Sequence, residues 1–265
     1  MLFPIYGKVA IDAFNVHYYM NKQVVLSNGY TYTIGACPEE AKLQETLSHL
    51  IAIRDKYYPE KEVWLTEFGW DTNQSYATVN SSHAYENKDT GVSYTGRQVQ
   101  AMWLTRAYLL LSAIGVDKAT MYMCEDVGTV ENEAVGKFAT SGVIGFEYDE
   151  YGNVREFKKD SYYYLYTLKN TLGDYTFNEE LEAYDENVMI YEYKTKDGRT
   201  AYAVWCPTSD GSVVNNYQLK IDGKTATLVE NEYGDADGVQ STLNADSLGY
   251  VSVNVSENPV YIIVD

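Results

Sequence analysis

Along the first two-thirds of the chain, short apolar runs alternate with longer stretches whose apolar positions recur at helical spacing, the pattern of strand-helix units that build a parallel sheet. Residues 8–16 read as a strand, with Val9, Ile11, Phe14 and Val16 apolar, ending in His17-Tyr18-Tyr19. A Gly-, Asn- and Tyr-rich loop follows. Pro38 then suits a first helical position, Glu39 and Glu40 suit the positive end of the helix dipole, and Leu43, Leu47, Leu50 and Ile51 share one face of a helix running to about Tyr58. Residues 63–66 form the second strand, and a long polar loop extends from Asp71 to about Tyr94. Thr95 and Gln98 have the spacing of a capping box, and Val99, Trp103, Leu110 and Ala113 mark the buried stripe of a helix ending near Gly115. A third strand over 119–124 ends at Glu125-Asp126, and a further loop leads to a last helix over 161–172, closed by Gly173.

After Asp174 the pattern changes to short alternating strands with turn signals. Strands over 188–194 and 200–205 flank Lys196-Asp197-Gly198-Arg199, a hairpin turn, and Asp210-Gly211, Asp222-Gly223 and Asp237-Gly238 punctuate the rest. Residues 250–255 and 260–264 close it. The fold class expected is therefore α/β over residues 1–176, followed by a small antiparallel β-sandwich over 177–265.

Composition narrows the function. With 265 residues, 45% of them apolar and 14% aromatic, the chain has ample material for a core. Its formal charge of -18 argues against a nucleic-acid partner, because phosphate binding needs clustered Lys and Arg. No segment reaches the roughly 18 unbroken apolar residues of a membrane helix, so no membrane partner is expected. The first residues, Met1-Leu2-Phe3-Pro4-Ile5-Tyr6-Gly7-Lys8, lack a signal-peptide pattern, so secretion or a periplasmic location would require a leader further upstream. Cys37, Cys124 and Cys206 are too far apart for a zinc motif or a disulfide framework and read as buried small hydrophobes. The Gly234-Asp235-Ala236-Asp237-Gly238 run lacks the Glu and the spacing of a calcium loop and reads as an acidic turn. No metal or cofactor is expected.

Residues just past the ends of parallel strands converge on one face of an α/β barrel. Here they are His17 and Tyr19, then Glu67 and Trp70, then Tyr122, Glu125 and Asp126. Two of these strand ends carry carboxylates, and a pair of carboxyl groups can divide the work of glycoside cleavage between acid and nucleophile. A Tyr or His bonded to one of them would hold it ionised and oriented. The 27 Tyr and 4 Trp residues offer flat faces for sugar rings, although most tyrosines equally suit strand packing.

The three strand ends, Ile11-Asp12-Ala13-Phe14-Asn15-Val16-His17-Tyr18-Tyr19, Trp64-Leu65-Thr66-Glu67-Phe68-Gly69-Trp70 and Met121-Tyr122-Met123-Cys124-Glu125-Asp126, resemble strands six, seven and eight of the retaining (β/α)8-barrel glycoside hydrolase superfamily that includes β-xylosidases, endoglucanases and β-mannanases. The strand-six motif His-x-Tyr is matched by His17 and Tyr19. The strand-seven motif Thr-Glu-x-Gly is matched with Glu67 at the nucleophile. The resemblance implies a C-terminal portion of a (β/α)8 barrel, with the later Gly142 to Phe146 and Lys158 to Leu172 similar to its final loop and helix eight. It also implies an appended sandwich, whose closing strand Asn258-Pro259-Val260-Tyr261-Ile262 resembles. Its substrate would be an oligosaccharide or polysaccharide with β linkages, Glu67 being catalytic and His17, Tyr19, Trp70, Tyr122, Glu125 and Asp126 contacting the sugar.

The front of the family pattern is missing. Its acid/base is a Glu following Asn at the end of strand four, whereas Asn132-Glu133 and Asn178-Glu179 come after the strand-six motif. A full barrel takes about 200 residues or more, so the missing N-terminal half is an expected partner. Glu125 is the local candidate for the acid if the chain acts alone. The competing expectations are a non-catalytic carbohydrate-binding protein and an inactive barrel fragment.

Overall fold

The computed structural model describes residues 11–25, 27–73, 81–127, 130–134 and 136–265. The beginning of the first expected strand, including Val9, and the middle of the 71–94 loop lie outside them. In chain order, the first elements are β1 (Ala13–His17), β2 (Asn21–Val25), β3 (Thr31–Gly35), α1 (Leu43–Tyr57) and β4 (Glu62–Glu67). Then come β5 (Tyr85–Asn87), β6 (Val92–Tyr94), α2 (Gly96–Ile114), β7 (Lys118–Ala119), β8 (Ile144–Tyr148), β9 (Val154–Lys158) and α3 (Asp160–Leu172). The remainder is strand: β10 (Thr176–Leu181), β11 (Met189–Lys194), β12 (Thr200–Trp205), β13 (Val213–Lys220), β14 (Thr225–Glu232), β15 (Asp235–Asn244), β16 (Tyr250–Ser256) and β17 (Val260–Val264). The architecture is mixed α/β, rich in sheet, and no helix among the described residues is long and apolar enough to cross a membrane.

β1, β4 and β7 form a parallel sheet with β4 in the middle. Successive side chains of a strand face opposite sides; Val63 and Leu65 are both fully buried, and Leu65 joins the core shared with the helices. α2 begins at the Thr95–Gln98 capping box and ends at Gly115, whose φ of 76° suits the left-handed cap. The expected stripe on α2 is too narrow. Thirteen of its 19 residues are buried, because the core cluster around it draws on the parallel sheet, on α1 and α3, and on Tyr191, Tyr193, Trp205 and Tyr261 from the antiparallel sheet.

Several expected loops are hairpins. The Gly- and Tyr-rich segment after Tyr19 pairs as β2 and β3, the 71–94 loop contains β5 and β6, and the approach to Asp160 contains β8 and β9. The expected third strand shrinks to β7. Its ladder slips, Thr120 N donating to Leu65 O at 2.8 Å and Tyr122 N to Phe68 O at 2.7 Å, so two residues on one side span three on the other. The peptide between Tyr122 and Met123 is cis. α1 starts at Leu43 rather than Pro38, because Lys42 is left-handed at φ 55° and interrupts the turns before it. Glu39 is drawn away from the helix end to the buried guanidinium of Arg106 and accepts the Trp205 indole N–H at 2.8 Å.

β10-β11-β12-β17-β14-β15 make an antiparallel six-stranded sheet, and β13 and β16 pair separately. Lys194 opposes Thr200 in the β11–β12 hairpin, as the 196–199 turn predicts. Ile190, Val204 and Ile262 of the large sheet share a second core with Leu219, Val251 and Val253 of the small one. Asp237-Gly238 is not a turn between strands but part of β15. Gly238 takes φ 70°, beside a register slip between Glu230 and Glu232, where a Cβ would lie 2.6 Å from Glu230 O. Cys37 and Cys206 are buried as expected, whereas Cys124 is exposed.

Candidate active site

Glu67 is the last residue of β4, and its side chain is 34% exposed. The Tyr19 hydroxyl donates to Glu67 Oε2 at 2.9 Å, and His17 Nδ1 lies 3.3 Å from the same oxygen. Among the described residues these are the hydrogen-bonding and ion-pairing side chains on that carboxylate. The Tyr19 phenol is pushed well above its ordinary range, first by burial and then by its bond to Glu67 and the carboxylate's charge. It therefore remains a protonated donor throughout the neutral range.

Tyr19 is packed against Phe138, with ring centroids 4.6 Å apart, and Phe138 meets Tyr122 edge-on at 5.6 Å. The 138–141 segment is tied down by Asp71, only 1% exposed. Phe138 N donates to Asp71 Oδ2 at 2.8 Å, while Thr140 N, Thr140 Oγ1 and Ser141 Oγ donate to Oδ1 at 3.0, 3.2 and 3.0 Å. Gly69 closes the other side. At φ 151° its missing Cβ would stand 2.5 Å from Tyr122 O, so the glycine lets the third strand end approach the second.

The structure gathers His17, Tyr19 and Glu67 directly, and Tyr122 through Phe138. Glu125 is exposed and its backbone bridges to Ile144. Two expected sugar contacts are placed elsewhere. Trp70 is fully buried, packed edge-on against Trp103, with its indole N–H on Ala36 O at 3.0 Å. The Asp126 carboxylate is buried against Lys159, whose Nζ stands 2.9 Å from Oδ1 and 2.7 Å from Oδ2 and also donates to Thr72 Oγ1 and Thr140 O at 3.0 Å each. Burial pushes the Asp126 carboxyl up and the Lys159 ammonium down, each opposed by the other's charge. This pair underpins the 138–141 segment and leaves Asp126 no face for a ligand.

Neither Phe138 nor Lys159 is visible to strand-end reasoning, since both lie in stretches without periodicity. Asp71 stands directly after Trp70, and its neighbourhood to the motif was the available signal.

The fold resembles that of glycoside hydrolases. A family 39 glycoside hydrolase from the gut symbiont Bacteroides cellulosilyticus WH2 superposes with a TM-score of 0.55 at 21% identity, covering 82% of this chain and 37% of that one. The GH51 arabinofuranosidase from Xanthomonas axonopodis pv. citri gives 0.52 at 14% identity, covering 96% and 53%. The chain thus spans about a third to a half of these two enzymes. No family model and no curated protein matches it.

Proposed function

We propose that this chain is the back part of a (β/α)8-barrel retaining glycoside hydrolase acting on β-linked glycans. Residues up to 176 would form the last strand-helix units and 177–265 an appended antiparallel sandwich. The observation that carries the proposal is Glu67, half-open at the end of the central parallel strand with a tyrosine hydroxyl and an imidazole on one carboxylate oxygen.

In this reading the free Glu67 oxygen attacks the anomeric carbon as a second carboxylic acid protonates the leaving oxygen, and water then hydrolyses the glycosyl ester. Tyr19 holds the nucleophile's orientation, and its bond favours the charged carboxylate. The second carboxyl must stand about 5–5.5 Å away for retention, and we place it outside this chain. His17, Tyr19, Tyr122 and Glu125 would meet the sugar, while Trp70 and Asp126 support the site from within. The test is a fluorinated mechanism-based glycoside given to the complete enzyme, followed by peptide mapping. The label is expected on Glu67, and a label on another residue refutes the assignment. Under the competing carbohydrate-binding reading, Glu67→Gln would leave glycan affinity unchanged with no turnover to lose.

A further inference from the structure

We propose that Glu257, in the antiparallel part of the chain, is a positioning residue for the candidate active site and acts through the β5–β6 hairpin. Calling that site active rests on the reading of Glu67 given above. The tie itself does not.

Glu257 lies between β16 and β17 and is fully buried. A carboxylate keeps such a place only where hydrogen bonds replace its water. Its Oε1 accepts from Thr208 Oγ1 at 2.6 Å, Asp210 N at 2.7 Å and Gly211 N at 3.1 Å, all in the loop between β12 and β13. Its Oε2 accepts from the hydroxyl of Tyr85, the first residue of β5 and 172 positions away in sequence. Oε1 thus closes the loops of the antiparallel part on each other, and Oε2 reaches out to the hairpin. The same loop grips the hairpin twice more: Asn87 Nδ2 donates to Asp210 O at 2.8 Å, and Thr90 Oγ1 to Gly211 O at 2.9 Å. Gly211 takes φ 80°, and a Cβ there would stand 2.6 Å from Asn87 Cβ, so the glycine admits the hairpin.

The hairpin passes this placement on towards Glu67. Three residues before Tyr85, Ser82 N donates to Asp71 O at 2.8 Å. The Ser82 hydroxyl shares its proton between Asp71 O and Gly96 O, at 2.9 and 2.8 Å. Ser81 forms a bridge with Asp71 as well. Asp71 therefore has its main chain held by the residues leading into β5, while its carboxylate holds Phe138 N. Phe138 packs on Tyr19, whose hydroxyl is on Glu67. Phe138 sits at φ 64°, a left-handed conformation that a bulky residue keeps only where its surroundings impose it. A residue constrained in this way responds when one of its supports is cut.

The test reads Phe138 directly. The chain has 7 Phe residues, so labelling with para-fluorophenylalanine gives a simple fluorine NMR spectrum, in which Phe138→Tyr identifies the Phe138 signal. Glu257→Ala and Tyr85→Phe cut the tie from opposite ends. In both, the Phe138 signal is expected to shift or broaden, and amide exchange to accelerate at least about tenfold over 81–87 and over 136–141. Glu257→Gln keeps an acceptor at Oε1, and its amide nitrogen can donate to the Tyr85 hydroxyl, which accepts as readily as it donates. It should therefore retain the native Phe138 signal. Tyr85→Phe leaves Glu257 its Oε1 bonds, so the test stands even if Glu257→Ala fails to fold. An unmoved Phe138 signal with unchanged exchange over 136–141 would overturn the proposal, even where 81–87 opens. So would a Glu257→Gln variant that disturbs Phe138 as much as Tyr85→Phe does. Mechanism-based labelling of a residue other than Glu67 would remove the active-site reading and leave this tie, so the two fail separately.

Discussion

Asp71→Asn is the change that most directly tests how the candidate site is held. One amide oxygen can replace Oδ1 and keep the bonds from Thr140 N, Thr140 Oγ1 and Ser141 Oγ, but each becomes a neutral bond of roughly half the strength. The amide nitrogen then takes the place of Oδ2 and faces Phe138 N–H at the present 2.8 Å, donor against donor. Hydrogen bonds to a charged group contribute about 1.5–3 kcal/mol each, so losing one and halving three removes about 4–7 kcal/mol from the docked 138–141 segment. That segment can open without unfolding the rest, so the loss should appear as local opening. Amide hydrogen exchange over 136–141 is expected to accelerate at least about 100-fold, since 1.4 kcal/mol is a factor of ten, while β12 keeps its protection. Unchanged exchange over 136–141 would refute the claim that Asp71 holds Phe138 against Tyr19.

Three further changes probe other links. Gly69→Ala places a Cβ 2.5 Å from Tyr122 O at a φ of 151° and should destabilise the chain by at least about 2 kcal/mol; an unaltered thermal midpoint contradicts the close approach. Arg106→Met strands Glu39, whose side chain is 11% exposed, and should cost about 3–5 kcal/mol in urea unfolding, with Arg106→Met/Glu39→Gln regaining part of it; a single-variant loss under about 1 kcal/mol would show that the pair does not tie α2 to the Glu39 loop. The amides of Tyr250 and Leu248 hold the Asp246 carboxyl below its usual range. With a depressed folded pKa, its stabilising contribution is present above the unfolded value of about 3.9 and is lost as pH falls through the folded pKa. Asp246→Asn should flatten that part of the acid-unfolding profile, and an ordinary NMR titration of Asp246 would refute the assignment.

What could be read from the chain before folding was what local chemistry decides. The Thr95–Gln98 box, the Gly115 cap and the 196–199 turn are set by residues within a few positions of one another, and all three appear as expected. The misreadings have tertiary causes. Pro38, Glu39 and Glu40 look like a helix start, yet Glu39 finds Arg106 from α2 and Trp205 from β12, partners 67 and 166 residues distant. Trp70, three residues past Glu67, looks like a sugar platform until Trp103 and Ala36 close over it. Asp126 reads as a free strand-end carboxylate because its partner, Lys159, lies 33 residues further on. In each case the residue type was suggestive and its orientation depended on a distant element.

Glu67 itself illustrates the limit of pattern reasoning. Val63 and Leu65 are fully buried at alternate positions of β4, Leu65 in the core shared with the helices, and strict alternation would send Glu67 after them. The pairing with β1 prevents this: Val16 opposes Leu65, but the next residue, His17, opposes Glu67, leaving Thr66 as an extra residue in the ladder. A one-residue slip reverses the facing of everything beyond it. Tyr18 N then bonds to Glu67 O at 3.0 Å, which fixes the slipped register. Glu67 thereby leaves the apolar layer and meets His17 and Tyr19, which a regular ladder would have kept on the other face. The motif names the residue, but the slip at Thr66 is what gives its carboxylate a polar setting.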